Sequence, residues 1–155
     1  MALEKGMDVT AQLYFAALIV GALTPVQVGI NAALKASLDN PLAAGLTNFI
    51  VGGLAILLVA LLTRSGVPAL AAAASVPAWG WLGGLIGATF VVATLSLGPK
   101  LGAATLFVLV IAGQMLASMA LDHFGLIGFP VRPINLPRIA GAMLLVAGVV
   151  LIVRN

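Results

Sequence analysis

Amide side chains are the residues in this chain best suited to chemistry, because they occur inside long apolar runs. Thr24, Gln27 and Asn31 follow one another at spacings of three and four residues, which places them on one face of a helix. An amide in hydrocarbon without a hydrogen-bond partner is costly, so we expect this face to contact other helices or a polar cavity. Pro25 precedes the amide pair and lacks a backbone N–H, which predicts a bend near the amides.

Two other apolar runs also contain polar side chains. Asn48 shares a helix face with Gly45, and Gln114, Ser118 and Asp122 recur every four residues. Such groups either hold helices together, contributing about 0.6 to 2 kcal/mol each, or contact a solute. We predict a substrate-binding set that consists of Gln27, Asn31, Asn48, Gln114, Thr24 and Ser118.

The inventory of catalytic residue types is poor. The chain has no cysteine and one histidine, and no span contains a carboxylate near its centre. Asp122 and His123 are adjacent at a helix end, where they form either a solvated helix terminus or a proton relay. No Gly-rich phosphate loop ending in Lys-Ser/Thr is present. We therefore expect no catalytic residues, no metal site and no cofactor.

The elements that carry these side chains belong to a membrane protein. Of the 155 residues, 63% are hydrophobic and 7% are charged, whereas about 25% of residues are charged in an average soluble domain. The polar surface is too small to coat a water-soluble globule, so we predict an all-α integral membrane protein in contact with the lipid bilayer. The seven Lys and Arg residues are spread singly. We interpret them as helix-end anchors that extend to lipid headgroups, not as a nucleic-acid patch.

Five apolar stretches have about the length needed to cross a bilayer, roughly 20 residues. We predict a single membrane domain over residues 1–155, with spans at about 13–36, 41–63, 77–97, 101–121 and 138–153. The sequences Asp39-Asn40-Pro41 and Gly98-Pro99-Lys100 predict tight turns. Three prolines between residues 122 and 138 predict an irregular loop there.

Glycine spacing indicates where helices could approach one another or bend. Small residues four or seven apart let helix backbones come close. We predict helix-packing or dimer contacts at Gly80, Gly87, Gly141 and Gly148. We predict hinge or gating flexibility at Gly21, Pro25, Gly83 and Gly84.

The distribution of positive charge gives almost no instruction about orientation. Five crossings put four Lys or Arg residues on the side of the N-terminus, namely Lys5, Arg64, Arg132 and Arg138, and three on the other, namely Lys35, Lys100 and Arg154. Because orientation follows the Lys/Arg bias of short loops, we expect molecules to insert both ways round. The alternative is that another signal fixes one orientation.

Three segments resemble a known group. They are Pro25-x-Gln27-x-x-x-Asn31-x-x-Leu34, the stretch from Gly98 to Gly128 and the closing stretch from Arg138 to Ile152. They are similar to the small five-helix YdcZ-type family of the drug/metabolite transporter superfamily. The resemblance implies a multi-pass inner-membrane protein equal to half of a ten-helix transporter, in a family that forms dual-topology homodimers, opposite pairs or fused halves. Small multidrug resistance proteins assemble similarly, but their membrane-embedded Glu is absent here, which argues against cation/proton antiport.

These observations combine into one hypothesis and one rival. The hypothesis is a homodimer of oppositely oriented copies, with ten helices, that moves a small polar or amphipathic solute of unknown identity by alternating access. The rival is a non-transporting membrane scaffold or assembly subunit, in which amides and glycines only join helices. An intramembrane enzyme is disfavoured.

Overall fold

The computed structural model describes residues 8–66 and 70–154, and the regular secondary structure of this part of the chain is entirely helical. Six α-helices run in the order α1 (Val9–Leu38), α2 (Pro41–Leu62), α3 (Leu70–Ala74), α4 (Leu82–Leu101), α5 (Ala103–Phe124) and α6 (Leu136–Arg154). Short 3₁₀ helices, Ala78–Trp81 and Leu126–Gly128, precede α4 and follow α5.

Five helical segments are long and apolar enough to cross a membrane. They are Val9–Leu38, Pro41–Leu62, Ala78–Leu101, Ala103–Phe124 and Leu136–Arg154, with lengths from 19 to 30 residues and mean hydropathy between 1.7 and 2.3. Most of their large hydrophobic side chains are exposed, as lipid-facing side chains must be. The prediction of an all-helical chain with five spans is therefore confirmed.

The turn between α1 and α2 has the predicted chemistry. The Asn40 side chain accepts hydrogen bonds from the backbone N–H groups of Leu42 and Ala43, at 2.8 and 3.2 Å. Pro41 follows at the first helical position, where its missing N–H costs nothing. Asp39 adopts a left-handed conformation (φ 48°) that ends α1. This prediction is confirmed.

The turn predicted at Gly98-Pro99-Lys100 is wrong. Helix α4 continues through Pro99 and ends at Leu101. Proline removes the donor for one carbonyl, four residues earlier, and a helix near its end tolerates that loss when another donor replaces it. The chain turns instead at Gly102, whose positive φ of 79° favours glycine.

The connection between α5 and α6 is shorter than expected. The irregular loop predicted from residue 122 to 138 begins only at Gly125, which ends α5 with a left-handed conformation (φ 61°). Helix α6 starts at Leu136, so Pro137 lies in its first turn, a position that proline tolerates.

The chain divides into two compact units, the first ending at Ser96 and the second beginning at Leu97. In the first unit α1 packs against α2, and Ala44 and Leu95 are buried. In the second unit α5 packs against α6, and the buried residues are Leu106, Ala142 and Val149. The single membrane domain expected from the sequence stays a prediction.

Candidate functional site

A polar face of α1 is the main candidate site of the first unit. Gln27, Asn31 and Lys35 succeed one another at intervals of four residues, so their side chains lie on one face of the helix and extend over about 12 Å of its length. The two amides were expected on this face, whereas Lys35 was not assigned to it.

Gln27 contacts Asn48 on the neighbouring helix. The Nε2 atom of Gln27 donates to Oδ1 of Asn48 at 3.5 Å, which is longer than an ordinary hydrogen bond. Gln27 is exposed and Asn48 is half-buried. The structure thus brings together two residues of the predicted set, and the long distance indicates a weak bond that a solute could replace.

Asn31 is almost completely buried and has no hydrogen-bond partner. Its exposed fraction is 6%, and its side chain forms no hydrogen bond with any described residue. Every fully buried side-chain nitrogen or oxygen in the described residues has a partner, so the polar atoms of the Asn31 amide keep some accessible surface. These atoms can therefore still form hydrogen bonds with a partner from outside the described residues.

Lys35 points into the first unit. Its Nζ donates to the carbonyl oxygen of Leu95 on α4 at 3.1 Å, and the side chain is half-buried. Pro99 lies four residues after Leu95 and has no N–H, so the Leu95 carbonyl lacks its normal helical donor. The ammonium group supplies that donor. The interpretation of Lys35 as an anchor for lipid headgroups did not include this bond within the chain, and the headgroup contact itself stays a prediction.

Close packing of α2 against α4 supports this arrangement. Gly45 is buried, and a Cβ at this position would lie 3.2 Å from Cγ2 of Val92. One helical pitch further, the ring of Phe49 lies 3.7 Å from where a Cβ of Gly87 would be. The absence of a side chain at Gly45 lets α2 and α4 approach at this point.

A cavity of about 430 Å³ lies beside α2 and α4. The hydroxyl groups at its wall donate to carbonyls of their own helix, Thr89 to Leu85 at 2.9 Å and Ser96 to Val92 at 2.9 Å. The remaining wall residues are apolar, namely Leu42, Ala88, Val92 and Ala93. The cavity therefore offers few free polar groups to a solute.

The remaining members of the predicted set are placed differently. The Thr24 hydroxyl donates to the Val20 carbonyl at 3.3 Å, within its own helix and next to Pro25. Gln114 and Ser118 are exposed on α5 in the second unit, and their side chains form no hydrogen bond within the described part of the chain. Their role in binding stays a prediction.

An ion pair joins the ends of α5 and α6. The Nη2 atom of Arg138 lies 3.1 Å from Oδ2 of Asp122, and both side chains are about three-quarters buried. Arg138 also donates through Nη1 to the Arg132 carbonyl at 3.0 Å, and the Arg132 backbone N–H donates to the Asp122 carbonyl at 2.8 Å. The Ile134 backbone N–H donates to Nδ1 of His123 at 3.1 Å.

This network changes two interpretations. Asp122 forms an ion pair with Arg138 and is not a freely solvated helix end. Arg138 forms an ion pair and is not a free lipid anchor. We define the α5–α6 clamp as Asp122, His123, Arg132, Ile134 and Arg138; it fixes the connection between these helices.

Several glycines of the predicted packing and gating sets face open space. A Cβ at Gly21, Gly83, Gly84, Gly141 or Gly148 would have no atom within 4 Å outside its own helix backbone. Gly80 lies in the 3₁₀ helix, and a Cβ there would meet Cγ1 of Val76 at 2.9 Å. The packing, dimer and hinge roles of these residues stay predictions, apart from the contact of Gly87 with Phe49.

The second unit contains an apolar cavity of about 650 Å³ between α5 and α6. Its lining is entirely apolar and consists of Leu116, Met119, Ile134, Ile139, Ala142, Met143, Val146 and Ala147. The described residues contain no group of three or more His, Cys, Asp or Glu side chains that could hold a metal ion. The polar face of α1 therefore remains the strongest candidate.

Comparison with known proteins identifies relatives of this chain. The model of a family described as "Putative inner membrane exporter, YdcZ" matches residues 12–151. The inner membrane protein YdcZ of Escherichia coli (strain K12) is 40% identical over 81 residues, which cover 52% of this chain and 54% of that protein. The chain thus aligns with about half the length of this curated relative. No solved structure matches the chain.

Proposed function

Because this chain belongs to the YdcZ family of the drug/metabolite transporter superfamily, we propose that it is a secondary transporter that moves a small polar or amphipathic solute. It is a multi-pass protein of the inner membrane, with five apolar helices of membrane-spanning length.

The observation that carries the proposal is the unpartnered amide of Asn31. The residue is only 6% exposed and forms no hydrogen bond with a described residue, yet its polar atoms keep some accessible surface. A solute that accepts or donates a hydrogen bond at these accessible atoms would give the amide the partner that it lacks among the described residues. Gln27 and Asn48, which are joined by a weak bond, provide further exchangeable donors and acceptors.

We assign the transporting unit to two copies of the chain in opposite orientation. The cationic residues divide four to three between the two sides of the membrane, and so small a bias supports insertion in both orientations. Two opposed copies have ten spans related by a two-fold axis in the membrane plane. Exchange of conformations between the copies then opens the site alternately to each side, as in transporters built from inverted repeats.

The rival function, a membrane scaffold without transport, is favoured by one contact. The Gln27–Asn48 bond joins α1 to α2, as an amide that serves only to hold helices together would do. In that case, replacing either amide lowers stability and no solute flux exists to be changed. The unpartnered Asn31 is not explained by this function.

The test is solute efflux from cells that express the Asn31→Ala variant. We expect transport to fall at least about tenfold, the effect of losing a hydrogen bond to a bound solute, while membrane expression and thermal stability are kept. The matched control is Ser37→Ala on the same helix, since the Ser37 hydroxyl is exposed and bonds only to the Ala33 carbonyl. Equal transport by both variants would remove Asn31 from the site.

A further inference from the structure

The ammonium group of Lys35 has no carboxylate partner in the described chain. The sequence contains four acidic residues, Glu4, Asp8, Asp39 and Asp122. Asp122 pairs with Arg138, Asp8 accepts from the Thr10 backbone at the start of α1, and Asp39 ends α1 without an ion pair to Lys35. Glu4 lies outside the described residues. A half-buried cation bonded to a neutral carbonyl is incompletely compensated.

Asn31 lies one helical turn before Lys35 and adds unused donors. The amide has two N–H groups, neither of which bonds to a described residue, and the ammonium has three N–H groups, of which one is used at Leu95. The two side chains share a face of α1, and Lys35 on this face bonds to α4. Together they present several donors and a positive charge, a combination that matches a carboxylate.

We propose that Asn31 and Lys35 bind the carboxylate of the transported solute, so that the transporter selects small water-soluble organic anions. This inference rests on the proposed function and names the substrate class of the same site. A site made only of amides would recognise the solute through neutral hydrogen bonds. Lys35 adds a positive charge to this site and so favours an anionic solute. Gln27, one turn before Asn31 on α1, and Asn48 on α2 would contact the remainder of the solute.

Lys35 also has a structural role that the test must separate from binding. Replacing Lys35 by Met leaves the Leu95 carbonyl without a donor, which destabilises α4. Replacing Pro99 by Ala restores a backbone N–H at position 99 and supplies that donor within the helix. The double variant Lys35→Met/Pro99→Ala therefore removes the charge while the carbonyl remains satisfied.

The experiment measures ligand-induced stabilisation of the purified full chain in nanodiscs of neutral phosphatidylcholine. The probes are acetate and benzoate, each compared with its neutral amide, acetamide and benzamide. We expect the carboxylates to raise the melting temperature of the wild type, Lys35→Arg and Pro99→Ala proteins, and the amides to have a smaller effect. The double variant should bind carboxylates at least about tenfold more weakly, since it loses a charged hydrogen bond.

Three results would overturn the inference. The first is equal stabilisation by carboxylates and amides, or by neither. The second is an undiminished carboxylate response in the double variant. The third is Lys35-dependent stabilisation by phosphatidylglycerol nanodiscs with no response to soluble carboxylates, because the anion bound at Lys35 would then be a lipid headgroup.

Failure of this inference is distinguishable from failure of the proposed function. A transporter of neutral solutes would still show efflux that depends on Asn31 and is insensitive to Lys35→Met/Pro99→Ala. A scaffold would show no efflux of any solute in either background.

Discussion

At the scale of single residues, the polar chemistry of this chain is concentrated on one face of α1. Spacing alone was sufficient to place Gln27 and Asn31 on that face. The role of Lys35 could not be predicted, because its partner carbonyl at Leu95 lies 60 residues away in sequence. The available signal was Pro99, which in a helix leaves the carbonyl four residues earlier, that of Leu95, without its backbone donor. The sequence does not reveal which side chain replaces that donor.

The tether between Lys35 and Leu95 predicts a stability effect that is independent of any ligand. Lys35→Met should lower the free energy of unfolding by about 1 to 3 kcal/mol, because a buried carbonyl loses its donor. Adding Pro99→Ala should recover most of this loss. Unfolding titrations of the four proteins measure the coupling, and strictly additive effects of the two substitutions would contradict the tether.

Gly45 predicts a second effect at this scale. A leucine at position 45 would collide with Val92, whose Cγ2 lies 3.2 Å from the nearest added atom, and should destabilise the protein by about 1 to 3 kcal/mol. The control is Gly52→Leu on the same helix, where a Cβ meets no atom within 4 Å. Thermal unfolding in detergent compares the stability of the two variants. An equal loss of stability in both would show that α2 and α4 are not close at Gly45.

At the scale of elements, hydrophobic length determines where helices lie, and local caps determine where they end. The five spans were predictable because uninterrupted apolar runs of about 20 residues have few alternatives in a membrane. The α1–α2 turn was predictable because Asn40 and Pro41 act locally. The end of α4 was not predictable, because the carbonyl that Pro99 leaves without a backbone donor is bonded by Lys35, a side chain from another helix.

The α5–α6 clamp is the clearest determinant of loop structure. Arg138→Gln removes the bonds to Asp122 and to the Arg132 carbonyl. The free energy needed to open the α5–α6 loop should fall by about 1 kcal/mol, which raises the opening equilibrium constant roughly fivefold. Hydrogen exchange of the amides at Arg132 and Ile134 should accelerate accordingly. Arg132→Gln is the matched control, because it removes an equal charge from the same loop and the clamp uses the backbone of Arg132. Equal exchange in the two variants would contradict the clamp.

At the scale of the whole molecule, the proposed transporter consists of two opposed copies of one chain. Near-equal cationic residues on the two sides are read directly from the sequence, whereas the contact surface between copies is not. Gly141 and Gly148 on α6 face open space within the chain, so they remain the predicted dimer contact. The polar face of α1 and its symmetry mate would then line the shared path.

Orientation should be adjustable by adding charge. Two lysines inserted after Ser65 increase the bias at the loop that contains Arg64 and should hold every copy in one orientation. Efflux should then fall severely, because no opposed partner remains. Co-expression with a copy that carries four lysines appended to the C-terminus, which gives an opposite bias of the same size, should restore it. Full efflux from the variant with lysines after Ser65, expressed alone, would show that opposed copies are not required.

The most direct measurement is the orientation of single copies in the membrane. The sequence contains no cysteine, so the Ser65→Cys variant carries one thiol, at an exposed position beyond α2. Spheroplasts are treated with a membrane-impermeant maleimide, and the labelled fraction is compared with that after permeabilisation. We predict labelling of about half of the copies from outside. Labelling of all copies, or of none, would contradict the account of an antiparallel transporter.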